Sequence, residues 1–196
     1  MREISRDPPD DFLIEEAQRR PEAFGELVTR YQDRIYHYLY RMTGSREDAE
    51  DLAQDTFVRA YLALATFKRG WPLAPWLFRI ATNLCINLLK RRGRMAHLPD
   101  ETEIVDQRVS VESEVEAREM KRELEDAILD LPEVYRAPVL LRHLYQLSYE
   151  EMAHALDIPL GTVKTRLFRA REMLRAKIDH TQRMERYGLQ GDKSPI

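Results

Sequence analysis

Apolar residues recur at helical spacing along almost the whole of this chain. The first short helix follows Pro8-Pro9 and uses Phe12, Leu13 and Ala17. Pro21 falls in the first turn of a longer one, with Phe24, Leu27, Val28, Tyr31, Ile35, Tyr38, Leu39 and Met42 on its inner stripe and Gly44 past its end. Ser45, with Asp48 three residues on, caps a third helix that runs to about Thr66. A Gly and two prolines make a loop of the next stretch, FKRGWPLAP. The fourth helix spans about Pro75 to Arg92 and buries Trp76, Leu77, Ile80, Ala81, Leu84 and Leu88. From Met95 to Glu112 the periodicity dissolves. Ser113 with Glu116 caps a fifth helix ending at Leu131-Pro132, and a sixth covers roughly Glu133 to Tyr145 with Pro138 inside it.

The pattern then changes character. In LSYEEMAHALDIPLGTVKTRLFRAREMLR, residues Leu147 to Arg175, Ser148 and Glu151 form a capping box that starts one short helix. Asp157-Ile158-Pro159 breaks it, and another helix opens near Gly161-Thr162. Between Thr162 and Lys177 there are six Lys or Arg against one acid, Glu172. Two short helices with so tight a turn, the second one cationic, make the helix-turn-helix that enters a DNA major groove. At about 100° per residue, Val163, Leu167, Ala170 and Leu174 face Met152, Ala153 and Leu156 of the first helix. Thr162 opens the reading helix, and Lys164, Thr165, Phe168 and Arg169 lie opposite the apolar side as base-reading candidates. Arg166 and Arg171 flank them, placed for phosphates. Phe168 could alternatively be a core residue.

The chain is therefore expected to be all-α: two small helical domains joined by an acidic flexible linker, the C-terminal one a helix-turn-helix. The expected bounds are residues 1–95, a linker at 96–112, a second domain at 113–178 and a frayed tail at 179–196. Charge supports that division. Net charge is −3 overall, but residues 1–98 hold 16 basic and 14 acidic residues, residues 99–130 hold 4 and 12, and residues 131–196 hold 11 and 8. A single cysteine, Cys85, excludes an internal disulfide and a Cys-based zinc site, and its apolar setting makes it a small buried hydrophobe. No apolar run is long enough to span a membrane and the N-terminus has no signal-peptide core, so a cytoplasmic protein is expected. With no HExxH, P-loop or dinucleotide fingerprint and five scattered His, no catalytic residue, metal, cofactor or small-molecule substrate is expected.

Two further surfaces carry chemistry. In SREDAEDLAQDTFVRAYLAL, Asp48, Asp51 and Asp55 share the face away from Ala49, Leu52, Thr56, Phe57 and Ala60. These acids lack enough basic neighbours for i,i+4 pairing, and Val58 and Leu62 extend the same face, as at a protein interface. On the fourth helix Arg79, Asn83, Asn87 and Lys90 recur at i, i+4, i+8 and i+11, with Arg91 continuing the basic end. Lys68, Arg69 and Trp71 lie in the preceding loop. Rings that stack on unpaired bases, amides that read their edges and cations that hold the backbone are the parts of a single-strand reader. Trp76 reads as core packing, and Trp71 as the better stacking ring.

The segments DAEDLAQDTF, PWLFRIATN and LSYEEMAHALDIPLGTVKTRLFRAR resemble extracytoplasmic-function sigma factors, the small two-domain class of bacterial RNA polymerase sigma subunits. The resemblance runs from about residue 10 to residue 178. It implies that Asp48, Asp51, Gln54 and Asp55 contact core RNA polymerase. It implies that Lys68 to Pro72 with Arg79, Asn83 and Asn87 read the melted −10 promoter element. It implies that Thr162 to Arg171 read the −35 duplex, and that an anti-sigma factor regulates the protein. Many members carry an Asp at the position of Asn87, so the family's −10 preference is not carried over one to one to this chain. The competing reading is a stand-alone helix-turn-helix regulator, which would leave the acidic face and the aromatic loop without a role.

Overall fold

A computed structural model describes residues 8–68, 70–95 and 115–186 of the chain. Eight α-helices make up this part: α1 (Asp10–Arg19), α2 (Phe24–Thr43), α3 (Arg46–Ala63), α4 (Leu73–Met95), α5 (Val115–Leu129), α6 (Glu133–His143), α7 (Tyr149–Leu156) and α8 (Leu160–Arg186). The stretch expected to be a linker, the cap at Ser113 and residues 187–196 lie outside the described residues.

Local chemistry sets most of the boundaries. Pro21–Ala23 form a 3-10 turn whose fixed proline φ leads into α2 at Phe24. Gly44 ends α2 in the left-handed conformation, φ +74°, and its N–H returns to the Tyr40 carbonyl. The Ser45 hydroxyl accepts from the Asp48 N–H at the start of α3. Both halves of the Ser148–Glu151 capping box form at the start of α7, each such cap contributing about 1 kcal/mol. Two boundaries differ from the sequence reading. α4 begins at Leu73, so Pro75 sits within its first turn, where a missing N–H costs nothing. α8 continues to Arg186, through what its composition suggested was frayed chain. Pro138 is buried inside α6, leaving the Val134 carbonyl without its helical donor.

The core is continuous across both helix sets. In the first, Leu27, Ile35, Tyr38, Leu39 and Met42 of α2 meet Ala49, Phe57 and Ala60 of α3 and Leu77, Phe78 and Ala81 of α4. Phe12, expected on an inner face, is instead 53% exposed. In the second set Leu140, Leu141, Met152, Ala155, Val163, Leu167 and Ala170 are buried. The sets meet directly. Tyr145, just beyond α6, packs its ring 4.8 Å from Phe78 and 5.8 Å from Tyr38, with the Arg34 guanidinium 5.9 Å from its centroid. The Arg136 guanidinium donates to the carbonyls of Leu129, Leu131 and Met42, stitching the end of α5 and the start of α6 to the end of α2. A Cβ on Gly44 would lie 2.8 Å from the Leu129 side chain, so that crossing is also closed to larger residues.

Candidate polymerase and nucleic-acid surfaces

The outer face of α3 is built as its periodicity suggested, with one exception. Ala49, Leu52, Thr56, Phe57 and Ala60 turn inward, and the Thr56 hydroxyl is satisfied by the Leu52 carbonyl. That rotation leaves Asp51, Gln54 and Asp55 exposed, followed by Val58 at 58% and Leu62 at 74% exposure. Leu62 is an unusually bare leucine for a helix this well anchored. Tyr61, which sequence reasoning passed over, is exposed beside it while its ring packs edge-on against Phe24. Asp48 departs from the expected role. It is buried, and both carboxylate oxygens accept from the Arg92 guanidinium at the C-terminal end of α4, one of them at 2.8 Å. A carboxylate so engaged ties α3 to α4 and is not free to face a partner.

The loop after α3 and the outer stripe of α4 form a second surface. Gly70 adopts φ +81°, which turns the chain so that Trp71 projects, 43% exposed, while Phe67 is buried and packs edge-on with Trp76 at 5.0 Å. Trp76 is accordingly a packing residue. Lys68 is exposed; Arg69 lies outside the described residues. Asn83, Asn87, Lys90 and Arg91 are exposed along α4, and the Arg91 Nε donates to the Asn87 carbonyl. A shallow depression of about 400 Å³ beside Trp71 is walled by Pro9, Asp10 and Asp11 of the α1 start. Arg79 is half-buried, and its guanidinium donates to the Asp157 carboxylate at 2.8 Å. Trp71 meets the His154 ring nearly perpendicular, centroids 4.0 Å apart. Both partners come from the helix-turn-helix.

That helix-turn-helix is α7, the turn Asp157-Ile158-Pro159, and α8. Asp157 holds the left-handed conformation, φ 53°, which Asp tolerates better than most residues. Val163, Leu167 and Ala170 of α8 pack on Met152 and Ala155 of α7. Lys164, Thr165, Phe168, Arg169 and Arg171 are exposed, while Thr162 and Arg166 are half-buried. Phe168 is 64% exposed, so it belongs to the outer face and not the core. The Thr165 hydroxyl donates back to the Gly161 carbonyl, and Arg169 reaches the Tyr135 hydroxyl at 3.4 Å. His143, behind this helix, is held below the usual histidine range by burial and then by Arg171 and Arg142.

Cys85 is buried within α4, and that burial pushes its thiol up to about 12. Iodoacetamide at pH 8 should leave it unmodified in the folded chain and alkylate it in guanidinium; rapid native modification would contradict this packing. No helix among the described residues is long and apolar enough to cross a membrane.

Two family models match along this chain. The family model for Sigma-70 region 2 matches residues 27–95, and that for Sigma-70, region 4 matches residues 121–174. The ECF RNA polymerase sigma factor SigW of Bacillus subtilis is 37% identical over 167 residues, covering 80% of this chain and 89% of its own. The ECF RNA polymerase sigma-E factor of Haemophilus influenzae is 37% identical over 180 residues, covering 86% and 95%. Among solved structures, CnrH in complex with the cytosolic domain of CnrY has a TM-score of 0.66 at 27% identity, covering 87% of this chain and 97% of that one.

Proposed function

The chain belongs to the extracytoplasmic-function sigma factors, subunits that direct bacterial RNA polymerase to promoters and are not enzymes, and from that premise we propose how its three surfaces divide the work. The outer face of α3, through Asp51, Gln54, Asp55, Val58 and Leu62, docks on core polymerase. Acids bordering bare apolar side chains suit a partner groove that is basic at its rim and apolar within. Asp48 contributes by fixing the start of that helix through Arg92. Lys68, Arg69, Trp71, Arg79, Asn83, Asn87, Lys90 and Arg91 take the melted −10 strand, Trp71 by stacking, the amides at base edges and the cations at phosphates.

α8 takes the −35 duplex. Lys164, Thr165, Phe168 and Arg169 meet base edges, and Thr162, Arg166 and Arg171 hold phosphates in register. The observation that carries the whole reading is the pairing, on one chain, of the unpartnered acidic–apolar face of α3 with the exposed Phe168 among the cations of α8. A stand-alone regulator would need the second and leave the first idle. An anti-sigma factor that covers these same surfaces is part of the proposal, as is a cytoplasmic setting; CnrH, a structural relative, was solved held by the cytosolic domain of another protein.

The division between reading and anchoring is testable on α8 itself. In polymerase holoenzyme, Arg169→Ala should cost about 1–3 kcal/mol at promoters with the matching −35 base and relax discrimination there. Arg171→Ala should weaken all promoters alike and shallow the salt dependence. Binding measured across a panel of −35 variants separates the two. A uniform loss from Arg169→Ala would remove it from base reading.

A further inference from the structure

Arg169, assigned above to base reading, leans on a side chain from another helix. Its Nη1 donates to the Tyr135 hydroxyl of α6, 34 positions away, at 3.4 Å. The Tyr135 ring is half-buried and packs against the core, while Arg169 is exposed. Tyr135 stands in the first turn of α6, where its N–H returns to the Pro132 carbonyl at 2.8 Å. The neighbouring Arg136 ties that turn to the Leu129 and Leu131 carbonyls, the latter at 2.9 Å. α6 itself is packed on α8. The hydroxyl is therefore offered from a fixed backbone, at the end of a ring that the core holds in place.

The kind of acceptor decides what the contact can do. Arg79 and Arg92 face carboxylates, those of Asp157 and Asp48. A carboxylate takes up the charge and the paired N–H groups that a base or phosphate would need. Glu172, one turn beyond Arg169, pairs instead with Arg175 at 3.9 Å. A phenol oxygen takes one of the five guanidinium N–H groups and does not cancel the charge. Two parallel N–H groups remain for the O6 and N7 of a guanine. At 3.4 Å the contact is long for N–H···O, so it steers the guanidinium without competing strongly for it. A long side chain steered before DNA arrives loses less freedom on binding.

We infer that Tyr135 is a positioning residue for −35 discrimination: its hydroxyl holds the Arg169 guanidinium in the direction from which it meets a base edge. The inference rests on the reading of Arg169 as a base contact. Tyr135 itself touches no DNA in this account. Its whole effect passes through Arg169, so it appears only at promoters that carry the base Arg169 reads.

The test uses the full-length chain in polymerase holoenzyme and a panel of promoters, each with one −35 base pair changed. Tyr135→Phe removes the hydroxyl and keeps the packed ring, and it is compared with Arg169→Ala and with the double variant. Ordering a side chain of this kind corresponds to about threefold to tenfold in affinity. Tyr135→Phe should therefore weaken the fully matched promoter by about that factor. Promoters already changed at the base read by Arg169 should bind it as they bind wild type. The salt dependence and the melting of the free chain should not move, since no phosphate contact or core packing is lost. In the Arg169→Ala background, Tyr135→Phe should have no further effect. A loss that is equal across the panel, or that persists without Arg169, would make the hydroxyl a phosphate ligand or a structural group and overturn the inference. Discrimination unchanged by Tyr135→Phe but relaxed by Arg169→Ala would also overturn it, leaving Arg169 as the reader. A uniform loss from Arg169→Ala would remove the reading and the positioning together.

Discussion

Reversing Asp51 and Asp55 together to Arg should abolish promoter-dependent transcription while leaving the fold intact. Both carboxylates are exposed on the outer face of α3. The packing of that helix comes from the opposite face, through Ala49, Leu52, Phe57 and Ala60. The substitution therefore removes no core contact. It does replace two acids with two cations at a surface proposed to meet a basic groove, turning attraction into repulsion. Like-charge juxtaposition of this kind costs several kcal/mol at an interface, so affinity for core polymerase should fall by about 100-fold or more. Binding to immobilised core polymerase and run-off transcription should fail together, with the circular dichroism spectrum and melting unchanged. Leu62→Asp, at the apolar end of the same face, should give a similar loss. Wild-type affinity in the charge-reversed variant would remove this face from docking.

The second large effect concerns stability. Phe78 is fully buried, with its ring 5.1 Å from Tyr38 in its own half and 4.8 Å from Tyr145 in the other. Truncating a buried phenylalanine to alanine costs about 3–5 kcal/mol, a lost transfer term plus the cavity left behind. For a chain of this size that lowers Tm by roughly 10 °C. The distinctive expectation is how it melts. Because Phe78 touches both helix sets, Phe78→Ala should lower a single transition seen equally by far-UV circular dichroism and tryptophan fluorescence. Both tryptophans, Trp71 and Trp76, lie in the first half. A fluorescence transition that drops while a separate helical transition stays in place would mean that the halves unfold independently.

Helix placement was largely legible in the sequence because the apolar residues of α2, α3, α7 and α8 keep a helical period. The capping box at Ser148 and Glu151 and the left-handed Gly44 are local devices, readable within a few residues of themselves. What escaped was long-range. A single-stripe reading of α4 named Leu77, Ala81 and Leu84 and missed Phe78, because that helix is packed on two sides, by α2 and α3 and by the second half of the chain. Asp48 shares its helical face with Asp51 and Asp55, and nothing nearby in sequence announces Arg92, 44 residues on, as its partner. Periodicity likewise placed Arg79 on a polar stripe, and the Gly/Pro loop offered Trp71, but neither carried a sign that His154 and Asp157 would meet them. Phe168 illustrates the opposite case. Its angle on α8 pointed outward, and its 64% exposure follows that angle despite its hydrophobicity.

We propose that this chain gives core polymerase its promoter choice through two separate DNA surfaces. Run-off transcription with bacterial core polymerase on a library of genomic fragments tests it most directly. Expected are discrete transcripts that depend on the added chain and share two upstream elements, one near −35 and one near −10. Absence of such transcripts, combined with retention of specific duplex fragments by the chain alone, would contradict it and leave a stand-alone helix-turn-helix regulator.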